Sequence, residues 1–287
     1  CAKPLGCELA ISVFRESGLV GVKQRELWRQ GVERLCDETP SSTRNLREPS
    51  EYTLLQITYC SEWISLCLAL TGRTCIWTGE QSYCPPQALG LSEVVEKEFP
   101  LKMIREALGR GVFRPGGDGR IWSAHALYFD YLAAHGFCRF IPSTHWHSLL
   151  LGANRTAVFP QRTGIATWLA ARNVGFLKEL LGIQPELLLA SVDAMEAIGS
   201  DKVCEALLDR VESLSWQQRH CDAIDKNLVR LKGGNTPAIL NRVLSDMTAS
   251  STVAETAGRI AVACEYCELS DILATRVLNL SIDHRDR

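Results

Sequence analysis

Apolar residues recur at three- and four-residue intervals along nearly the whole chain, while runs that alternate in strand fashion are rare. The pattern predicts a mainly α protein. Between residues 8 and 35, Leu9, Val13, Leu19, Leu27, Trp28, Val32 and Leu35 mark two short helices broken near Gly18 and Gly21. The polar stretch from Asp37 to Pro49 holds two prolines and reads as a loop. From about Glu51 to Leu70 an apolar stripe of Leu54, Leu55, Trp63, Ile64, Cys67 and Leu68 predicts a helix buried on one face, with Gly72 placed to end it in a left-handed turn. Another helix starts at Pro100, turns Ile104 and Leu108 inward and stops at Gly109.

One hairpin is legible. Over Gly111 to Trp122, the apolar pairs Val112-Phe113 and Ile121-Trp122 flank a turn rich in Gly, Pro and Asp. A helix follows from His125 to Ala134, with Leu127, Tyr128, Tyr131 and Leu132 on one face. A helix, a two-stranded wing and a further helix suggest a winged-helix-like module over residues 51–148, preceded by a helical segment over 1–50. Beyond Pro160 the chain becomes a procession of short helices over the region 149–287. Asp193 with Glu196 and Thr252 with Glu255 have capping-box spacing, Thr236-Pro237 gives another start, and Gly199 and Gly233-Gly234 give stops. Inward positions include Trp168, Leu169, Leu187, Val203, Leu207, Val211, Ile239, Leu240, Val243, Leu244, Ile260, Ala261 and Cys264. Short helices with short connections suit a HEAT-like array, although no fixed sequence period is visible.

Composition narrows the partners. The 287 residues carry 31 Lys and Arg against 33 Asp and Glu, a formal charge of −2, so the chain offers no electrostatic footprint for nucleic acid or an anionic membrane. Its longest dense apolar stretch, Ile64 to Leu70, is too short to cross a bilayer. The start at Cys1, with no initiator Met and no basic-then-apolar leader, reads as a piece of a longer product. Twelve cysteines at uneven intervals among apolar residues read as reduced, buried thiols of a cytoplasmic protein.

Catalytic signatures are missing. No Gly-Lys pair occurs, so the chain has no P-loop, and it has no dinucleotide glycine fingerprint, no Gly-x-Ser-x-Gly elbow and no His-Glu-x-x-His helix. Lys232-Gly233-Gly234-Asn235-Thr236 reads as a helix stop followed by a helix start. Zinc would need four converging ligands, usually as two close pairs. His125, His135, Cys138, His145 and His147 show no such pairing, and Cys264-Glu265-Tyr266-Cys267 continues an apolar helix face, so the expectation is no metal and no enzyme activity in this chain.

Ile121-Trp122-Ser123-Ala124-His125-Ala126-Leu127-Tyr128-Phe129-Asp130-Tyr131-Leu132-Ala133-Ala134 resembles the winged-helix segment of NACHT and related STAND signalling ATPases. That pattern runs aromatic, x, His, x, Ser/Thr, aromatic, x, Glu, aromatic, apolar, Ala, Ala. His125, Tyr128, Tyr131, Ala133 and Ala134 fall in register. Asp130 stands in place of the Glu, Leu127 in place of the hydroxyl residue, and Ala124 or Ser123 in place of a bulkier strand residue. Downstream, Phe159 to Ala170 and Gln184 to Leu189 resemble the linker and first helices of large bacterial members, and Ile260 to Asp283 resembles their helical repeats. The resemblance implies the sensor-side half of a prokaryotic STAND ATPase in antiviral defence, joined to an upstream NTPase domain that holds ADP or ATP. Its helices would offer a surface for a protein ligand or for self-association, and in that family the winged-helix His contacts the ADP phosphates, a role carried here to His125 alone. Two other readings stand beside it. One is a helical-repeat interaction scaffold with no nucleotide role, in which His125 caps or packs at the hairpin-to-helix junction. The other is a winged-helix DNA-binding regulator, disfavoured because Leu127 to Gly136 contains no Lys or Arg.

Overall fold

The computed structural model describes residues 24–37, 50–152, 154–213 and 227–283. The helix expected around Leu9 and Val13 and most of the 37–49 loop lie outside them. The chain forms two compact units, the first reaching to residue 154 and including 158–169, the second formed by 155–157 and everything from residue 170 onward.

The described part of the first unit opens with two helices. Helix α1 (Gln24–Asp37) precedes α2 (Leu54–Thr71). Thr53 caps α2 through a full box: its hydroxyl accepts from the Gln56 amide at 3.3 Å and its own amide donates to Gln56 Oε1 at 2.9 Å. Gly72, at φ 67°, ends the helix in the left-handed turn that the sequence anticipates. Next come β1 (Cys75–Trp77), β2 (Ala88–Gly90), α3 (Leu91–Val94), α4 (Leu101–Leu108), β3 (Phe113–Pro115), β4 (Arg120–Ser123), α5 (Ala126–Phe140), α6 (Trp146–Leu150) and α7 (Thr163–Ala170).

Helix α2 packs along α5, α4 and α1, burying Ile57, Cys60, Ile64 and Leu68. By length and apolarity α2 could cross a membrane, but half of it is buried inside this unit. It also buries Glu62, 2% exposed, which Arg139 Nε reaches at 2.7 Å and His135 Nδ1 at 3.2 Å. The Arg139 guanidinium in turn lies 3.4 Å from the centre of the Tyr59 ring. A carboxylate at this depth is tolerable only because it is paired.

The hairpin forms as read, closed by Gly116 donating to the Arg120 carbonyl at 2.8 Å, with Gly117, Asp118 and Gly119 all at positive φ. It belongs to a larger sheet than expected, ordered β2-β1-β4-β3, in which β1 runs parallel to β2 and antiparallel to β4. Strands β1 and β2 have three residues each, too few to display an alternating pattern. The outer edge of β3 offers no spare amide, because Phe113 donates to the Arg110 carbonyl and Pro115 has no N–H.

An aromatic cluster closes this core. Trp28 meets Tyr128, Tyr131 and Trp168 with ring centres 5.6 to 6.3 Å apart, and Tyr131 meets Trp168 edge-on at 5.2 Å. Trp168, read as part of the later helical ridge, therefore belongs to this cluster. Arg162 ties the unit further, donating to the carbonyls of Leu149 and, at 3.3 Å, of Leu70 near the end of α2.

The second unit is helical throughout its described elements: α8 (Val174–Ile183), α9 (Val192–Ile198), α10 (Ser200–Ser213), α11 (Thr236–Ser245), α12 (Ser251–Ala263) and α13 (Ser270–Asp283), with 3₁₀ turns at Pro185–Ala190, Leu228–Leu231 and Cys267–Leu269. Val203, Leu207, Val211, Ile239, Leu240, Leu244, Ile260, Ala261 and Cys264 are buried as the periodicity predicts. Val243 and Leu187 are only half-buried, and Leu188 and Leu189 take the inward places beside Leu187. The helix starts differ from the reading. Ser191 Oγ accepts from the Ala194 amide at 3.2 Å and Ser250 Oγ from the Val253 amide at 3.3 Å, so each cap lies two residues before the expected Asp193 or Thr252. Arginines span the turns: Arg210 donates to the Ile183 carbonyl, Arg230 to Leu189 at 2.7 Å and Arg276 to Ala249 at 2.7 Å.

Candidate functional site

Strand β4 ends at Ser123, whose hydroxyl donates to the His125 carbonyl at 3.0 Å and so shapes the step from hairpin into helix. His125 keeps an extended backbone, φ −152° and ψ 144°, and stands as the N-cap of α5. Its Nδ1 accepts from the Leu127 amide at 3.1 Å, while its carbonyl accepts from Tyr128 and Phe129, each at 3.1 Å. A ring nitrogen that accepts carries no proton, so the neutral imidazole holds its N–H at Nε2. The residue is exposed, and its ring meets the buried Tyr128 edge-on at 5.9 Å. One side of the imidazole is thus fixed by the helix and the core, and its remaining donor is held at the surface.

The other positions that carry the family resemblance do something else. Tyr128, Tyr131, Ala133 and Ala134 are all buried, and the two tyrosines join the aromatic cluster. Asp130 points toward the first turn of α7, where Gly164 makes room for it: a Cβ on Gly164 would stand 2.1 Å from Asp130 Oδ2. Burial there pushes the Asp130 carboxyl up to about 6. Of the five residues in register, only His125 is exposed.

The remaining candidates separate in space. His135 is engaged with Glu62, His145 is exposed, and the intervening Trp146 is buried with its Nε1 donating to the Ile141 carbonyl at 3.0 Å. Among the described residues no group of three or more His, Cys, Asp or Glu side chains could hold a metal ion. Cys36, Cys60, Cys204 and Cys264 are buried free thiols, and burial pushes them up to about 11 or 12. Cys264 ends α12 and donates to the Leu228 carbonyl at 3.4 Å, whereas Cys267 is exposed. The Gly233 amide is taken by the Tyr266 hydroxyl at 2.8 Å, and Lys232 pairs with Glu265 at 3.3 Å, so this glycine turn is occupied by the protein's own groups. The outward face of the sheet, where Trp77, Arg114, Arg120 and Trp122 lie, has no signature in the sequence, because strands of three or four residues show no alternating pattern. No protein-family model, curated protein or solved structure matches the chain.

Proposed function

We propose that this chain is the switch and sensor-side half of a STAND (NACHT-type) signalling ATPase, acting in prokaryotic antiviral defence in the cytoplasm. ADP or ATP would be held by the upstream NTPase domain of the parent protein. Two features support the reading. The order α2, β1, β2, α3, α4, β3, β4, with β4 beside β1, suits the helix–strand–helix–helix–wing plan of a winged helix to which β2 adds an edge strand. The helices of the second unit, joined by short turns, suit a HEAT-like array that takes up a protein ligand or another copy of the chain.

One observation carries the nucleotide role: His125 is exposed, spends Nδ1 on the Leu127 amide and leaves Nε2–H without a partner among the described residues. A fixed donor of this kind fits one phosphate oxygen. It fits no more than that, because the chain has no Gly-Lys-Ser/Thr loop to surround a phosphate, and the other donors belong to the parent's NTPase domain. In this reading the chain hydrolyses nothing by itself and holds the switch closed. Removing the donor in the parent, as in His125→Leu, lowers ADP retention and raises effector output without a trigger. A silent parent that keeps its ADP after this change contradicts the reading.

A second reading draws on the same bond. The Nδ1 cap alone accounts for a histidine at position 125, which favours a helical interaction scaffold with no nucleotide role. The two separate on whether ADP retention follows the Nε2 donor or only the cap.

A further inference from the structure

The outward face of the sheet has its own chemistry. Register sets Trp77 opposite Arg120 and Arg114 opposite Trp122, while Ile76, Ile121 and Phe113 turn toward the core. Gly116 bonds across to Arg120 on the other side, and the Trp122 indole rests on it: a Cβ at Gly116 would stand 1.8 Å from Trp122 Nε1. The Trp77 indole rests likewise on Gly79 and Gly119, where a Cβ would stand 2.6 and 3.4 Å from it. Arg120 thus lies between two indoles that the backbone holds in place, and both indoles remain part-exposed.

Packing over glycine explains the rings but not the arginines. Arg110, Arg139 and Arg162 each reach a carboxylate or a carbonyl. Arg114 is exposed and Arg120 keeps a buried Nε without a hydrogen-bond partner, and among the described residues neither guanidinium has an ion pair. The hairpin carries these two arginines against a single carboxylate, Asp118 at its tip.

We propose that this face binds single-stranded nucleic acid, with one base on each indole, the linking phosphodiester on Arg120 and the next phosphate on Arg114. Indole, guanidinium, indole is the complement of base, phosphate, base, and rings already held rigid lose little freedom when a base stacks on them. A duplex, whose bases are stacked on each other, cannot use the indoles. An acidic peptide would use the arginines alone. The chain's charge of −2 supplies no long-range attraction, so stacking carries the affinity. One or two phosphate contacts correspond to a salt slope of about −0.7 to −1.4. This proposal is independent of the nucleotide-switch reading.

The test titrates the full chain into a fluorescein-labelled oligothymidylate and follows anisotropy, with a duplex of equal length and polyglutamate as competitors. Expected are saturable binding with that shallow slope, poor competition by duplex and polyglutamate, and weakening by about fivefold to a hundredfold in Trp122→Ala. Arg114→Gln with Arg120→Gln weakens binding by about tenfold or more, and if Trp122→Ala does not fold, Arg114→Gln at its exposed position carries the test. The proposal is overturned if no saturable binding occurs, if duplex or polyglutamate competes as well as the single strand, or if the arginine variants bind like the parent chain.

Discussion

Gly136 on α5 faces Glu62 on α2 so closely that a Cβ would stand 2.7 Å from the Glu62 carbonyl oxygen and 2.9 Å from Leu66 Cβ. This contact sets the separation of the two helices that carry the first unit's core. Gly136→Ala must push them apart and disturb the buried Glu62–Arg139 pair, for a loss of roughly 1–3 kcal/mol. Urea unfolding of the variant checks this, and an unchanged midpoint would show that the helices have slack.

The cap assignments separate cleanly by substitution. Ser250→Ala should cost about 0.5–2 kcal/mol, because it orphans the Val253 amide, while Thr252→Ala, at an exposed first-turn position, should cost well under that. Thermal unfolding of the two variants side by side would reverse this order if the cap were at Thr252.

Glu265 sits at φ 58° just past the end of α12, where the Tyr266 amide bonds to Ala261 and the Glu265 amide to Val262. This is the Schellman arrangement, with glutamate in the place that favours glycine. Glu265→Gly relieves the left-handed strain and gives up only an exposed pair with Lys232, so a net gain of roughly 0.5–1 kcal/mol is expected. A loss of stability in denaturant would mean that the ion pair outweighs the strain.

Asp130 gives the first unit a pH signature of definite sign. Its carboxyl lies at about 6 in the fold against 3.8 for the ordinary group, so between these values the folded state binds more protons than the unfolded one. Stability from this group therefore falls as pH rises from about 4 to about 6, by roughly 2–3 kcal/mol, and stays low above. Asp130→Asn should flatten that segment of the stability profile and be the more stable protein at pH 7. A variant equally stable or weaker at pH 7 would place Asp130 in a favourable charged contact.

Much of this architecture is legible in the residues. Ile64, Leu68 and the glycine at 72 give α2 and its end, although Leu54 and Leu55, expected in its buried stripe, are exposed at its first turn, and the Gly-Pro-Asp turn between apolar pairs gives the hairpin, because period and turn chemistry are local. Strands β1 and β2 stay hidden, since three-residue strands take their identity from pairing with β4 and not from their own pattern. Trp168 is misread for a related reason. It looks like a member of its own helical ridge until Trp28 meets it, and the burial of Glu62, on which the pattern is silent, follows only from the convergence of Arg139 and His135 on it. At the candidate site the sequence singles out His125, yet only the structure shows that Nδ1 is committed to Leu127 while Nε2 is not.

The most direct test of the switch reading is the ADP content of the purified parent protein carrying His125→Asp. Aspartate caps a helix N-terminus well, so α5 keeps its start, but it replaces a phosphate donor with a negative charge. The reading predicts that bound ADP per chain drops sharply in a variant that remains folded by circular dichroism. Bound ADP equal to that of the parent would show that His125 serves the cap alone, and would contradict the nucleotide role.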